Sequence, residues 1–128
     1  MAAFLSQDWL DLQRKLAADL PERRGATARL QIVVTGAPGG EVAYSQVFDD
    51  GRLADAALGL DEGAKATLTQ TYADAVAIAQ GELDVNAGFM QGRVKFVGDM
   101  GALMAVMPLT QSPEHKAMLA ALAVQTDF

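Results

Sequence analysis

Apolar residues recur along this chain in two rhythms, one near every third or fourth position and one at every second, and the switches between them mark its elements. Leu5, Trp9, Leu12 and Leu16 are spaced four, three and four, with Asp8 and Asp11 early and Arg14 and Lys15 late. This predicts an amphipathic helix whose charges suit its macrodipole. Ser6 is placed to cap it, Pro21 and the polar residues after it to stop it, and Trp9 to anchor a helix–sheet seam. From Thr27 the period becomes two. Leu30, Ile32 and Val34 share one side and Arg29, Gln31 and Val33 the other, so one face is buried and one largely wet. Ala37–Gly40 is a turn, and Glu41 to Phe48 alternates again with Val42, Tyr44 and Phe48 on one side. Asp50-Gly51 signals a hairpin into a third strand, Arg52 to about Leu58, which completes an antiparallel meander. Beyond the Gly59–Gly63 break, Lys65 to Gln70 reads as a short strand exposed on one side.

Thr71 to Asp74 resembles a capping box with Asp in the Glu position, and predicts a helix with Tyr72, Val76 and Ala79 inward and Gly81 at its end. Asp84 opens a short segment, Val85 to Met90, that Gly92 closes. Arg93 to Val97 is a fifth strand with Val94 and Phe96 on one face. Asp99 then caps a helix carrying Met100, Leu103, Met104 and Met107, with Pro108 as its stop. Ser112-Pro113-Glu114 is a cap, an N1 proline and an early acid, starting a last helix with Met118, Leu119 and Leu122 inside. Strands grouped early and helices grouped late make this an α+β chain: a mainly antiparallel sheet with helices covering one face.

Composition narrows what such a fold can do. The 128 residues form one domain, residues 1–128, with 51% apolar residues and a net charge of −6. A nucleic-acid partner or docking on an anionic leaflet needs a basic field, which the chain lacks. With no cysteine there is no disulfide, thiolate nucleophile or thiolate-bound metal. The N-terminus has no charged-then-apolar order, and the uncharged run Met100 to Ser112 is too short to span a bilayer. A soluble cytoplasmic protein without stable membrane insertion is the expectation.

Candidate catalytic groups are sparse. His115, the single histidine, sits in a first helical turn between Glu114 and Lys116, where exposure is expected, and no nucleophile accompanies it. One histidine without cysteine is a poor zinc set. Asp49-Asp50-Gly51 lacks the spaced oxygens of a calcium loop, and Ala37–Gly40 lacks the lysine and following helix of a phosphate loop. Asp55 and Asp74 would be a carboxylate pair only if the fold joined them. No cofactor is implied.

What remains is soft apolar bulk in Gly88 to Met107, bracketed by glycines. The run LTQTYADAVAIAQGELDVNAGFMQGRVKFVGDMGALMAV resembles the sterol carrier protein type-2 family, whose pattern is a capped helix, G-x-L-[DN], an FFQGKLKIKGNMG-like stretch and an apolar helix. It matches in residue type and spacing across Leu68 to Val106. Phe89-Met90 departs from the usual aromatic pair, and Thr126-Asp127-Phe128 is not the peroxisomal address of eukaryotic relatives. The resemblance implies a five-stranded sheet roofed by helices around an apolar tunnel that takes up sterols, fatty acids or acyl-CoA without chemistry. By position, Phe89, Met90, Gln91, Met100, Leu103, Met104 and Met107 would line or gate the tunnel, with Val76 and Phe96 in its wall. Two alternatives stand beside it: a protein-binding or accessory domain with a filled core, next to a lipid-metabolising enzyme, and a small steroid isomerase or cyclase using Asp55 or Asp74. A homodimer is compatible with each.

Overall fold

A computed structural model describes residues 1–128. Seven strands and five helices follow in order: β1 (Ala2–Ala3), α1 (Gln7–Ala17), β2 (Ala28–Thr35), β3 (Val42–Asp49), β4 (Arg52–Leu58), β5 (Ala66–Thr71), α2 (Tyr72–Ala79), α3 (Val85–Met90), β6 (Lys95–Gly98), α4 (Met100–Thr110), α5 (Pro113–Val124) and β7 (Thr126–Asp127). The main sheet has the order β4-β3-β2-β5-β6. Three of its pairings are antiparallel, but β5 runs parallel to β2, with Leu30 opposite Ala66 and Ile32 opposite Leu68. The sheet is therefore mixed.

Side-chain alternation decides which face the helices cover. Leu30, Ile32, Val34, Tyr44, Phe48, Leu53, Ala56 and Ala66 are all buried on one side and form most of the core with Trp9, Leu10, Val106, Leu109, Met118 and Leu122 from the helices. The opposite face carries Arg29 and Gln31. Their side chains hold the β4–β5 link as it passes β3 and β2: Arg29 Nη2 donates to Asp61 Oδ1 at 2.9 Å, and Asp61 N donates to Gln31 Oε1 at 3.1 Å. The Gly63 N–H, and then Arg29, keep the Asp61 carboxyl below its ordinary range against the cost of desolvation. This crossover makes a parallel neighbour of β5, because a strand that returns past β2 in the direction of β4 cannot pair antiparallel with it.

The caps fall where the sequence places them. Ser6, Thr71, Asp84, Asp99 and Ser112 each accept a backbone N–H in the first turn of the helix they precede. At Gly81, with φ +78°, the chain leaves α2 in a Schellman arrangement, Glu82 N donating to Ala77 O at 2.8 Å and Gly81 N to Ile78 O at 3.1 Å. Asp50 and Gly51 both take positive φ in the β3–β4 turn.

Four local expectations shift. The buried arc of α1 is wider than the Leu5–Trp9–Leu12–Leu16 stripe and includes Leu10, Gln13 and Ala17, because the helix packs on both β4 and α5. On α2 the buried residue is Ala75, with Tyr72, Val76 and Ala79 only partly covered. The fifth strand starts at Lys95 rather than Arg93, since the Arg93 and Val94 N–H groups are spent on Gly88 O. Pro108 does not stop α4, which runs on to Thr110. The bond lost to the proline is the one to the Met104 carbonyl, on the half-exposed side of the helix where water can replace it.

A second, two-stranded sheet was not foreseen. β1 pairs in parallel with β7, Ala2 opposite Thr126 and Ala3 opposite Asp127. The rings of Phe4 and Phe128 lie 5.0 Å apart beside it.

Candidate functional site

A cavity of about 450 Å³ lies between the roofed face of the sheet and all five helices. That volume falls within the ~300–1,000 Å³ of small-molecule sites. Of its 29 lining residues 19 are apolar, so an occupant would be held mainly by the exclusion of water. The floor is the buried side of the strands, including Leu30, Ile32, Tyr44 and Leu68. The roof includes Ile78 from α2, Phe89 from α3, Leu103, Val106 and Met107 from α4, and Leu119 from α5.

Of the residues expected to line or gate a tunnel, the structure brings Phe89, Leu103 and Met107 together in the wall. Phe96 stands behind Phe89, edge-on with ring centroids 6.3 Å apart, and packs on the core. Met100, Met104, Met90, Gln91 and Val76 lie outside the lining. The reason is angular. At about 100° per residue, Leu103, Val106, Met107 and Thr110 share a narrow arc of α4, and Met100 and Met104 fall on its solvent flank. They are 49% and 58% exposed, and Met90 is 85% exposed. Gln91 is on the surface against Arg93, and Val76 is half-covered on the side of α2.

His115 is the main reversal. Expected on the surface, it is 6% exposed and lines the cavity, and burial pushes its imidazole down to about 4. The ring is uncharged at neutral pH. Its position follows from the helix period, since His115, Met118, Leu119 and Leu122 form one inward stripe of α5. Its charged neighbours in sequence, Glu114 and Lys116, are exposed, Lys116 at the edge of the cavity.

Polar groups are few and unevenly distributed. Gln13 on α1 and Gln46 on β3 meet in the wall, Gln46 Nε2 donating to Gln13 Oε1 at 3.3 Å. Trp9 packs edge-on against Tyr44 at 5.8 Å, and its buried Nε1 has no partner. The cavity opens where its lining is exposed, at Gln80, Gly81, Asp84, Phe89, Lys116 and Ala120, around the α2–α3 junction and the near side of α5. Asp84 and Lys116 are the charged lining residues.

The two acids considered for isomerase chemistry stay apart from the cavity and from each other's partners. Asp55 on β4 faces Arg14 at 3.9 Å, and Asp74 on α2 is held by Arg93 at 2.6 Å. No group of three or more His, Cys, Asp or Glu side chains is placed to hold a metal. No helix is long and apolar enough to cross a membrane.

The sequence profile described as the SCP-2 sterol transfer family matches residues 9–111. The chain belongs to the SCP-2 sterol transfer family. A comparison with curated proteins finds no match. Among solved structures, a conserved hypothetical protein from Thermus thermophilus superposes with a TM-score of 0.74 at 19% identity, over 93% of this chain and 89% of that one. Palmitated SCP2L2 from Aedes aegypti gives 0.62 at 15% identity, over 84% and 92%. An inverting sec-alkylsulfatase from a Pseudomonas species gives 0.51 at 25% identity over 69% of this chain, and the match occupies 13% of that larger enzyme. The first two likenesses concern the SCP-2 fold alone.

Several wall residues of this SCP-2 chain could have been found from sequence. Leu30, Ile32 and Tyr44 already stood on the buried side of their strands, and His115 lay on the α5 stripe. What alternation and periodicity do not reveal is which buried residues face a void and which face one another.

Proposed function

We propose that this protein is a non-enzymatic carrier that takes up one lipid molecule in the cavity beneath its helices. The observation that carries this reading is the cavity itself, about 450 Å³ in volume and lined by residues about two thirds of which are apolar. Membership of the SCP-2 family and the palmitated state of the mosquito relative support it. A chain of about a dozen methylenes would gain roughly 10 kcal/mol of gross transfer free energy on burial. Association costs of ~4 kcal/mol or more reduce this to a useful reversible affinity. Phe89, Leu103 and Met107 belong to the wall, and the flexible, polarisable side chain of Met107 suits varied apolar ligands.

Charge favours an uncoordinated lipid over acyl-CoA. A nucleotide head with several phosphates calls for clustered cations, and Lys116 is the sole cation lining the cavity. An accessory role beside an enzyme is the second reading, supported by the match within the alkylsulfatase chain. There the carrier would hold an apolar substrate for a neighbouring active site. Native mass spectrometry of freshly purified protein and displacement of a fluorescent fatty acid test the carrier reading. A co-purifying lipid and saturable displacement are expected, and the absence of both sinks it.

A further inference from the structure

The two edges of the main sheet are finished differently. Along β4, side chains of α1 cover the outward backbone groups: Arg14 Nη2 donates to Ala54 O, Gln7 Nε2 donates to Ala56 O, and Leu58 N donates to Gln7 Oε1, each at 3.1 Å. No side chain does the same for β6 at the opposite edge. Asp99 N donates to Lys65 O at 2.8 Å. By the alternation of an antiparallel pair, Lys95, Val97 and Asp99 therefore turn their backbone groups to β5, while Phe96 and Gly98 turn theirs outward. Such an open row of donors and acceptors can pair with a further strand.

The sequence of this edge is complementary to itself in one register. When an antiparallel copy is centred on Val97, Phe96 N–H and C=O meet Gly98 C=O and N–H on both sides of the axis, so every outward group of both strands is paired. Val97 then faces Val97 of the second copy, and Lys95 faces Asp99 twice, opposite charges in opposite positions. Neighbouring registers are poorer. Centring on Lys95 sets lysine against lysine, and centring on Phe96 calls on Val94 N, which is already spent on Gly88 O at 3.1 Å. The side chains are available for this pairing. Val97 is 71% exposed, and Lys95 is exposed and outside the ion pairs of the fold. Asp99 gives Oδ1 to Gly101 N at 2.8 Å as the cap of α4, which leaves Oδ2 for a cation. At each end of the pairing Met100 comes opposite Val94, which is tied to α3, the helix that carries the exposed Met90.

We propose that the β6 edge is a docking surface for a second copy of this chain, which joins antiparallel at Val97 so that the two five-stranded sheets become one continuous sheet with both helical layers on the same face. This inference stands apart from the carrier reading, since no part of it depends on what the cavity holds. The dimer is a transient one. Its strands are four residues long, which places it among interfaces under ~1,200 Å², and two chains of net charge −6 repel each other at a distance.

The chain has no cysteine, so one introduced at a chosen position reports its own symmetric contact. In the proposed register the two Val97 positions form a non-hydrogen-bonded pair with Cα atoms about 4.5 Å apart, within the ~4.4–6.8 Å that a disulfide spans. The two Lys95 positions are offset by four residues along the strands, about 13 Å. In a glutathione redox buffer Val97→Cys should therefore cross-link to a dimer at least about tenfold faster than Lys95→Cys. Sedimentation velocity of the parent from about 10 µM to about 1 mM should show a reversible dimer that grows with concentration. Val97→Lys, which opposes two like charges at the closest pair, should abolish it, Lys95→Glu should weaken it about tenfold, and Val97→Ile should keep it. These side chains are exposed, and thermal melts near the parent's establish that each variant is folded. A parent that stays monomeric throughout overturns the proposal and leaves the edge guarded by Lys95 or open to a strand of different sequence. Equal cross-linking at the two positions overturns the register on which the pairing rests, and a dimer that survives Val97→Lys belongs to another surface and overturns it as well.

Discussion

Acid should weaken this fold through one residue. His115 is 6% exposed in the cavity wall, and burial alone lowers its pKa from 6.5 to about 4. Below pH 6.5 the unfolded chain takes up a proton there that the folded chain refuses, so stability falls as pH falls. The contribution is fully present above about pH 6.5, is lost progressively down to about pH 4, and changes no further below that. A difference of 6.5 against about 4, at ~1.4 kcal/mol for each pH unit, gives about 3 kcal/mol. Set against a total of roughly 5–15 kcal/mol, this is a large fraction. For a domain of this size it lowers Tm by about 10 °C. Urea unfolding of delipidated protein, followed by Trp9 fluorescence at half-unit steps from pH 7.5 to 4, measures it. His115→Phe should be flatter than the parent by about 3 kcal/mol over that range. Carboxylates also titrate toward the acid end, but they are common to both proteins and cancel in the comparison. Parallel pH profiles for the two would refute the reasoning, because they would place His115 in a site where its cation is solvated.

Leu103→Trp should abolish uptake of a fluorescent fatty acid with a Tm near the parent's, since the ring fills open space, whereas overpacking a filled core would cost about 1–3 kcal/mol. Met104→Trp, on the exposed flank of the same helix, should leave uptake within about twofold, and displacement titrations of the two variants side by side read the contrast. Gly98→Ala should cost about 2–4 kcal/mol by urea unfolding, because Gly98 has φ +126° and an added Cβ would lie 2.5 Å from Lys65 O. Asp74→Asn should lose about 1 kcal/mol with the Arg93 pair and leave lipid binding unchanged; turnover of a ketosteroid by the parent but not by this variant would instead revive the isomerase reading.

Most of the fold was legible because its signals are local. Alternation separated the two faces of β2 and β3, and each helix announced itself through Ser6, Thr71, Asp84, Asp99 or Ser112. Strand neighbours were less so: nothing in Ala66–Thr71 says that it pairs in parallel with β2, since that follows from a link closed by Arg29 and Gln31 with Asp61. The site was legible as a region and not as a surface. Methionine content drew attention to Met90, Met100 and Met104, but side-chain type does not encode angular position, and the wall uses the adjacent arc through Leu103, Val106 and Met107. His115 was hidden by its neighbours in sequence, whose charges suggested solvent, while the spacing to Met118 and Leu122 pointed inward.

The short parallel pairing of β1 with β7 has a topological consequence. It places Met1 and Phe128 within a few residues of each other on one side of the molecule, so the backbone is nearly a ring. Joining those ends through a short glycine linker and opening the chain instead at the exposed residues Pro38 to Gly40 of the β2–β3 turn would reorder the elements without removing any residue of the cavity wall. For the same reason the whole fold can be spliced as a cassette between two neighbouring segments of another polypeptide, with both junctions emerging at one spot.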